Sequence, residues 1–153
     1  NAREYTRTLN DAADVVMVTY YPLAGDFNVL DPSLVHKAFS RLVELYPEAE
    51  IHITEIGYPT SEINKSSPEL QAQFIQEMFT AWDDHADQIT LISYSWLSDL
   101  SDSSVRELEE YYGLSNKAFG EFLRTLGLRT YPGKGEDKPG FQTLQEEAAS
   151  RGW

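Results

Sequence analysis

The chain has 153 residues, 41% of them hydrophobic, with nine Tyr, seven Phe and three Trp, enough apolar material for one folded domain. Twelve Lys and Arg stand against 25 Asp and Glu, and the formal net charge of -13 repels phosphate backbones and anionic lipid surfaces, which excludes nucleic acid and membrane as partners. With no Cys, disulfides, thiolate metal sites and a cysteine nucleophile are excluded as well, and no apolar run approaches the ~18 residues of a membrane span.

Asn1 is not an initiator Met, and Ala2 to Asn10 reads as the polar tail of a helix, so the sequence is expected to begin partway through a longer protein. Asp14 to Tyr21 (DVVMVTYY) is apolar nearly throughout, the pattern of a strand covered on both faces, and Pro22 and Gly25 end it. Asp31-Pro32 suits the cap and first position of a helix. Leu34, Val35, Ala38, Phe39, Leu42, Val43 and Tyr46 give that helix one apolar stripe, and Pro47 stops it.

A second strand begins at Ile51. Ser66-Ser67-Pro68-Glu69 opens the next helix, whose buried face is Leu70, Phe74, Ile75, Met78, Phe79 and Trp82. Asp83, Asp84, Asp87 and His85 lack strict ligand spacing and read as a solvated helix end, so no metal is expected, and no cofactor motif occurs. Ile89 to Trp96 is a third strand. Val105 to Tyr112, Asn116 to Leu126 and Gly140 to Ser150 follow as helices, with a loop over Arg129 to Pro139. Alternating strands and helices predict an α/β fold with parallel strands.

The segment Ile51 to Ser61 (IHITEIGYPTS) carries the chemistry. A β-branched run reaches one carboxylate, Glu55, and breaks on Gly57 and Pro59, which puts Glu55 at the strand's carboxyl end, where ligands bind in parallel sheets. Strict alternation predicts Ile51, Ile53 and Glu55 on one face and His52 on the other, toward the helices. The other strands also finish on aromatics, Tyr20-Tyr21 and Tyr94 with Trp96. Rings beside a carboxylate suit a sugar, whose C–H groups stack while its hydroxyls take hydrogen bonds. The candidate catalytic residue is therefore Glu55, and the candidate sugar contacts are Tyr20, Tyr21, Tyr58 and Trp96.

DVVMVTYYP, IHITEIGYPTS and ISYSW in this order resemble the last three strands of the clan A (β/α)8 glycoside hydrolases, and the YYP and TEIGYPT segments look most like family 53, the β-1,4-endogalactanases. The resemblance implies that the chain is the last three βα units of a TIM barrel, a single partial-barrel domain over residues 1–153. It also implies a retaining glycosidase acting on β-linked saccharide, in a secreted or periplasmic setting. Glu55 then matches the nucleophile, Tyr20 or Tyr21 the tyrosine that hydrogen-bonds it, and Trp96 the sugar platform. The partner acid of such enzymes is the Glu of an Asn-Glu pair, and this sequence has no Asn-Glu dipeptide. The chain alone is thus expected to be catalytically silent, completed by the missing barrel half or by self-association through its sheet edges. The alternative is a non-catalytic saccharide-binding half-barrel.

Overall fold

In the computed structural model, residue 10 and residues 13–131 and 135–153 are described; the expected helix over Ala2 to Asn10 lies, apart from Asn10, outside them. Three parallel strands, β1 (Val15–Tyr20), β2 (Glu50–Ile56) and β3 (Ile89–Tyr94), form one sheet in chain order with β2 in the middle. Among the described residues, five α-helices of two turns or more accompany them: α1 (Leu34–Leu45), α2 (Pro68–Asp83), α3 (Asp102–Tyr112), α4 (Lys117–Arg124) and α5 (Pro139–Ser150).

Local chemistry sets the helix starts. Ser67, Ser101 and Asn116 each accept a backbone N–H from the first turn through the side chain, the usual service of a cap residue. Because Ser101 caps, α3 begins three residues before the expected Val105, on the polar turn Asp102-Ser103-Ser104. Asp31 turns back to its neighbour instead: its carboxylate accepts from the amide and hydroxyl of Ser33. Residues 31 to 35 are joined by i→i+3 bonds, so α1 starts at Leu34, two residues later than Pro32 suggests.

The core lies on one face of the sheet. Val16 and Val18 of β1, Ile51, Ile53 and Ile56 of β2, and Ile89 and Ile92 of β3 pack on Val35 and Phe39 of α1, Phe74, Ile75 and Met78 of α2, and Phe141 and Leu144 of α5. The other face is open. Met17 is 67% exposed there, and Thr19, Glu55, Leu91 and Ser93 are exposed beside it. The doubly covered β1 read from DVVMVTYY is therefore corrected: among the described residues the strand is buried on one side, and its apolar run includes Met17, 67% exposed on the other.

Alternation along β2 is broken once. Val18 pairs with Ile53 and Thr19 with Glu55, so Thr54 is an extra residue in the ladder, a β-bulge, and its hydroxyl donates to the Val18 carbonyl at 3.2 Å. This reverses the predicted faces. Ile51 and Ile53 point to the helices, His52 shares the open face with Met17 and Leu91, and Glu55 is carried to that face one row further on, beside Thr19. His52 is held there by Glu50, whose carboxylate also accepts from Thr90 at 2.6 Å.

Of the residues read as a solvated end of α2, Asp84 and Asp87 are exposed, whereas Asp83 and His85 have structural partners. Asp83 takes two bonds from the Arg151 guanidinium beyond α5, and His85 lies 3.1 Å from the Ser40 hydroxyl of α1. Among the described residues, no helix is long and apolar enough to cross a membrane.

Candidate active site

Glu55 stands at the carboxyl end of the central strand, exposed, on the open face. Tyr21, just past the end of β1, donates its phenol proton to Glu55 Oε2 at 3.1 Å. Among the described residues, Glu55 Oε1 accepts no hydrogen bond. One oxygen of the carboxylate is thus fixed by a neutral donor, and the other is left with its lone pairs free.

Burial and packing hold Tyr21 in place. Its ring meets Phe122 of α4 edge-on at 5.3 Å, inside a cluster with Val105, Phe119, Leu123, Leu126 and the half-buried Trp96. Burial pushes its phenol up to about 12, Ser95 works against the rise, and the adjacent Glu55 charge adds to it. The hydroxyl is therefore a proton donor to Glu55 at any physiological pH. Gly57 makes room for the arrangement: a Cβ there would lie 2.8 Å from the Ser95 carbonyl oxygen and 3.2 Å from the Tyr21 ring.

The expected sugar contacts separate into two groups. Tyr21 and Trp96 gather with the carboxylate's end of the sheet. Tyr20 takes the opposite side of β1, where its ring packs edge-on against Phe39 of α1. Tyr58 is 1% exposed, stacked on Phe74 with its hydroxyl donated to the Leu30 carbonyl at 2.7 Å. Both are wall residues of the core, because two successive tyrosines on a strand cannot share a face, and the chain at Tyr58 has already turned back toward α2. Sequence reasoning missed Ser95, whose side chain meets the Tyr21 phenol, and it missed the Thr54 bulge, for which no residue type in the strand is a signal.

Loops at this end are tied down. Lys138, 7% exposed at the start of α5, gives its ammonium to Asp99 at 2.6 Å, to the Thr60 hydroxyl at 3.1 Å and to the Thr125 carbonyl at 3.2 Å. The three donors of the ammonium thus have three acceptors. Gln71 of α2, fully buried, donates to the carbonyls of Tyr58, Leu126 and Gly127. The loop after β2, the loop after β3 and the end of α4 are therefore one fixed platform beneath the Glu55 and Tyr21 pair. Among the described residues, a surface hollow of about 540 Å³ lies beside the first turn of α3, lined by Asp99, Asp102, Arg106, Arg124 and Tyr131, and another of about 590 Å³ adjoins Asp14 and Tyr46; Glu55 lines neither.

Four tyrosines give a pH prediction. Burial raises Tyr20 and Tyr21 to about 12 and moves Tyr58 and Tyr94 upward too, all above the ordinary value near 10. Their folded-state protons are the more tightly held, so the stability they bring is complete below pH 10 and drains away as pH rises through 12. Urea midpoints measured from pH 8 to pH 12 should be flat to about pH 10 and then fall steeply; a flat profile up to pH 12 would show these phenols to be freely solvated.

Three parallel strands with helices stacked on one face, and a carboxylate presented at a strand's carboxyl end, define a parallel α/β domain. Among solved structures the fold is similar to a GH2 β-galacturonidase from Eisenbergiella tayi bound to glycerol, with a TM-score of 0.59 and 18% identity over 90% of this chain. The chain spans 24% of the length of that enzyme. At this identity the likeness is one of fold, and it is to a family 2 enzyme where the sequence motifs look like family 53. No family model matches the chain, and no curated protein matches it.

Proposed function

We propose that this chain is the C-terminal portion, the last three βα units, of a barrel-type retaining glycosidase acting on β-linked saccharide, with Glu55 as the nucleophile. The observation that carries the reading is the Tyr21–Glu55 pair on the open face at the strand ends. In a closed barrel the face turned away from the helices is the interior, and catalytic side chains collect at its carboxyl rim. A nucleophilic carboxylate needs one oxygen held in place and the other open to attack, and the phenol donor to Oε2 gives that arrangement. Attack by the other oxygen on the anomeric carbon would give a glycosyl ester, provided a protonated carboxyl roughly 5 Å away releases the leaving oxygen.

That second carboxyl belongs to the part of the barrel this chain lacks, so its partner is the missing barrel half. The outer edges of β1 and β3, unpaired among the described residues, together with the open-face row Met17, His52 and Leu91, are surface that such a half would cover. The family 53 resemblance and the β-galacturonidase neighbour have a galactose-configured sugar in common, which makes β-galactosides the first substrates to try. A mechanism-based 2-deoxy-2-fluoro-β-galactosyl fluoride, reacted with the full-length protein, should leave its mass on the peptide that contains Glu55. A label on another carboxylate would remove Glu55 from the role. The 153-residue chain alone should not turn over aryl β-galactosides. A strong rate abolished by Glu55→Gln would mean that the chain carries its own acid.

The second reading is a self-associating half-barrel that binds saccharide without cleaving it, and the same two bare edges favour it. Sedimentation equilibrium separates the two: a tight dimer of the 153-residue chain supports self-association, and a monomer supports completion by other barrel strands.

A further inference from the structure

Helix α3 lies between β3 and α4 and ends on two adjacent tyrosines that are largely exposed. Tyr111 and Tyr112 are 80% and 58% exposed, with ring centroids 5.0 Å apart at 84°. Exposing two large rings side by side leaves apolar surface in water, which marks a contact surface more often than it serves the fold. Their placement is fixed. Gly113 closes the helix directly behind Tyr112, its amide returning to the carbonyls of Glu109 and Glu110, and the Tyr112 ring meets Phe119 of α4 edge-on at 5.8 Å.

From Phe119 a run of ring contacts leads to the catalytic carboxylate. Phe119 stacks near Phe122 at 6.4 Å, Phe122 meets Tyr21 at 5.3 Å, and Tyr21 holds Glu55. Phe27, in the loop after β1, leans on both phenylalanines at 5.0 and 6.0 Å. Tyr112 is also near enough to Tyr21 to contribute to the upward push on its phenol. The buried rings Phe119 and Phe122 thus form the floor of one aromatic ledge, with Tyr21 at its inner end and Tyr112 at its solvent end.

We infer that Tyr112 is a saccharide-stacking residue, a second subsite on the ledge that continues outward from Glu55 and takes a neutral sugar unit of an oligosaccharide. The inference rests on the glycosidase reading and deepens it by naming where the chain of sugars runs. Charge selects the ligand class: the last turn of the helix carries Glu109 and Glu110 and the whole chain is acidic, so a uronate or phosphate is repelled, whereas carboxylates accept hydrogen bonds from neutral hydroxyls. A phenol ring adds an apolar face for sugar C–H groups and a hydroxyl that stays wet.

The test is titration of the full-length protein, in a catalytically inactive Glu55→Gln background to prevent turnover, with β-1,4-galactotetraose and with methyl β-galactoside, read by calorimetry. Tyr112→Ala should weaken the tetrasaccharide about three- to tenfold and leave the monosaccharide unchanged, the size expected for one lost ring contact. Tyr112→Phe, which keeps the ring, should bind as the parent does, and Tyr112→Leu, which keeps apolar bulk against Phe119, should lose as much as Tyr112→Ala. If Tyr112→Ala binds the tetrasaccharide as tightly as the parent while Trp96→Ala is weakened, the Tyr112 assignment fails and the saccharide reading stands. If the parent protein binds the tetrasaccharide no more tightly than the monosaccharide, the second subsite fails and the glycosidase reading stands.

Discussion

Replacing Lys138 with Met should destabilise the chain by about 3–5 kcal/mol at pH 7, the cost found when one partner of a buried ion pair is removed. The side chains of Lys138 and Asp99 are 7% and 13% exposed, so little solvent is available to take over from the lost ammonium. Burial already raises Asp99 and lowers Lys138, each pushed toward its neutral form and each restrained by the other's charge. Without the cation, Asp99 rises further. A carboxyl whose folded value lies above its unfolded value gives its full stability only below the unfolded value near 4, and that stability is lost as pH climbs through the folded value. The Lys138→Met variant should therefore recover part of its deficit as pH is lowered from 7 toward 4. The double variant Asp99→Asn with Lys138→Met, which buries no charge, should return to within about 1 kcal/mol of the parent at pH 7. Chemical denaturation of the four proteins of this cycle measures all of it. A single variant that loses less than about 1 kcal/mol would mean that water, not Lys138, neutralises Asp99.

Gly127→Ala is the second large effect, and it acts on the same platform by sterics. A Cβ at Gly127 would sit 2.1 Å from the Asp99 amide nitrogen and 2.2 Å from the Ser98 carbonyl carbon. Both are backbone atoms, so no rotamer change relieves the overlap. The Asp99 amide meanwhile donates to the Arg129 carbonyl at 2.8 Å, and the Lys138 amide to the Leu128 carbonyl at 3.0 Å, which pins the strands of chain on either side. The segment has to move as a unit, at about 3 kcal/mol or more, the upper part of what overpacking costs. For a chain of this size that is roughly a 6–12 °C fall in melting temperature, measured by differential scanning calorimetry. A loss under 2 °C would show that the loop after β3 slides freely.

What the sequence made legible follows from what each pattern measures. Period-3.6 stripes located the helices, since Phe39 and Phe74 are buried where the stripes put them. Boundaries moved where side chains bond locally, as with Ser101 capping α3 and Asp31 folding back on Ser33. Glu55 was visible as the one carboxylate at a strand's end, and Tyr21 as one of a pair of tyrosines. Which tyrosine faces it was not visible, because adjacent strand residues are equivalent until a register is known. Tyr58 was misread because an aromatic beyond a strand end carries no mark of whether the chain has already turned inward. The Asp99–Lys138 pair is 39 residues apart and owes its existence to loop closure, which leaves no periodic trace.

The extra residue in β2 has a consequence for how this strand tolerates change. Upstream of Thr54, odd-numbered positions are interior and even-numbered ones are wet; downstream, Glu55 and Ile56 follow the opposite parity. A carboxylate has in effect been delivered across a sheet by inserting a spacer, with every isoleucine kept where it was useful. Comparing this chain with another by counting from the start of the strand would set Glu55 against a lipophilic core position, so residue equivalences here are better taken from the strand's far end.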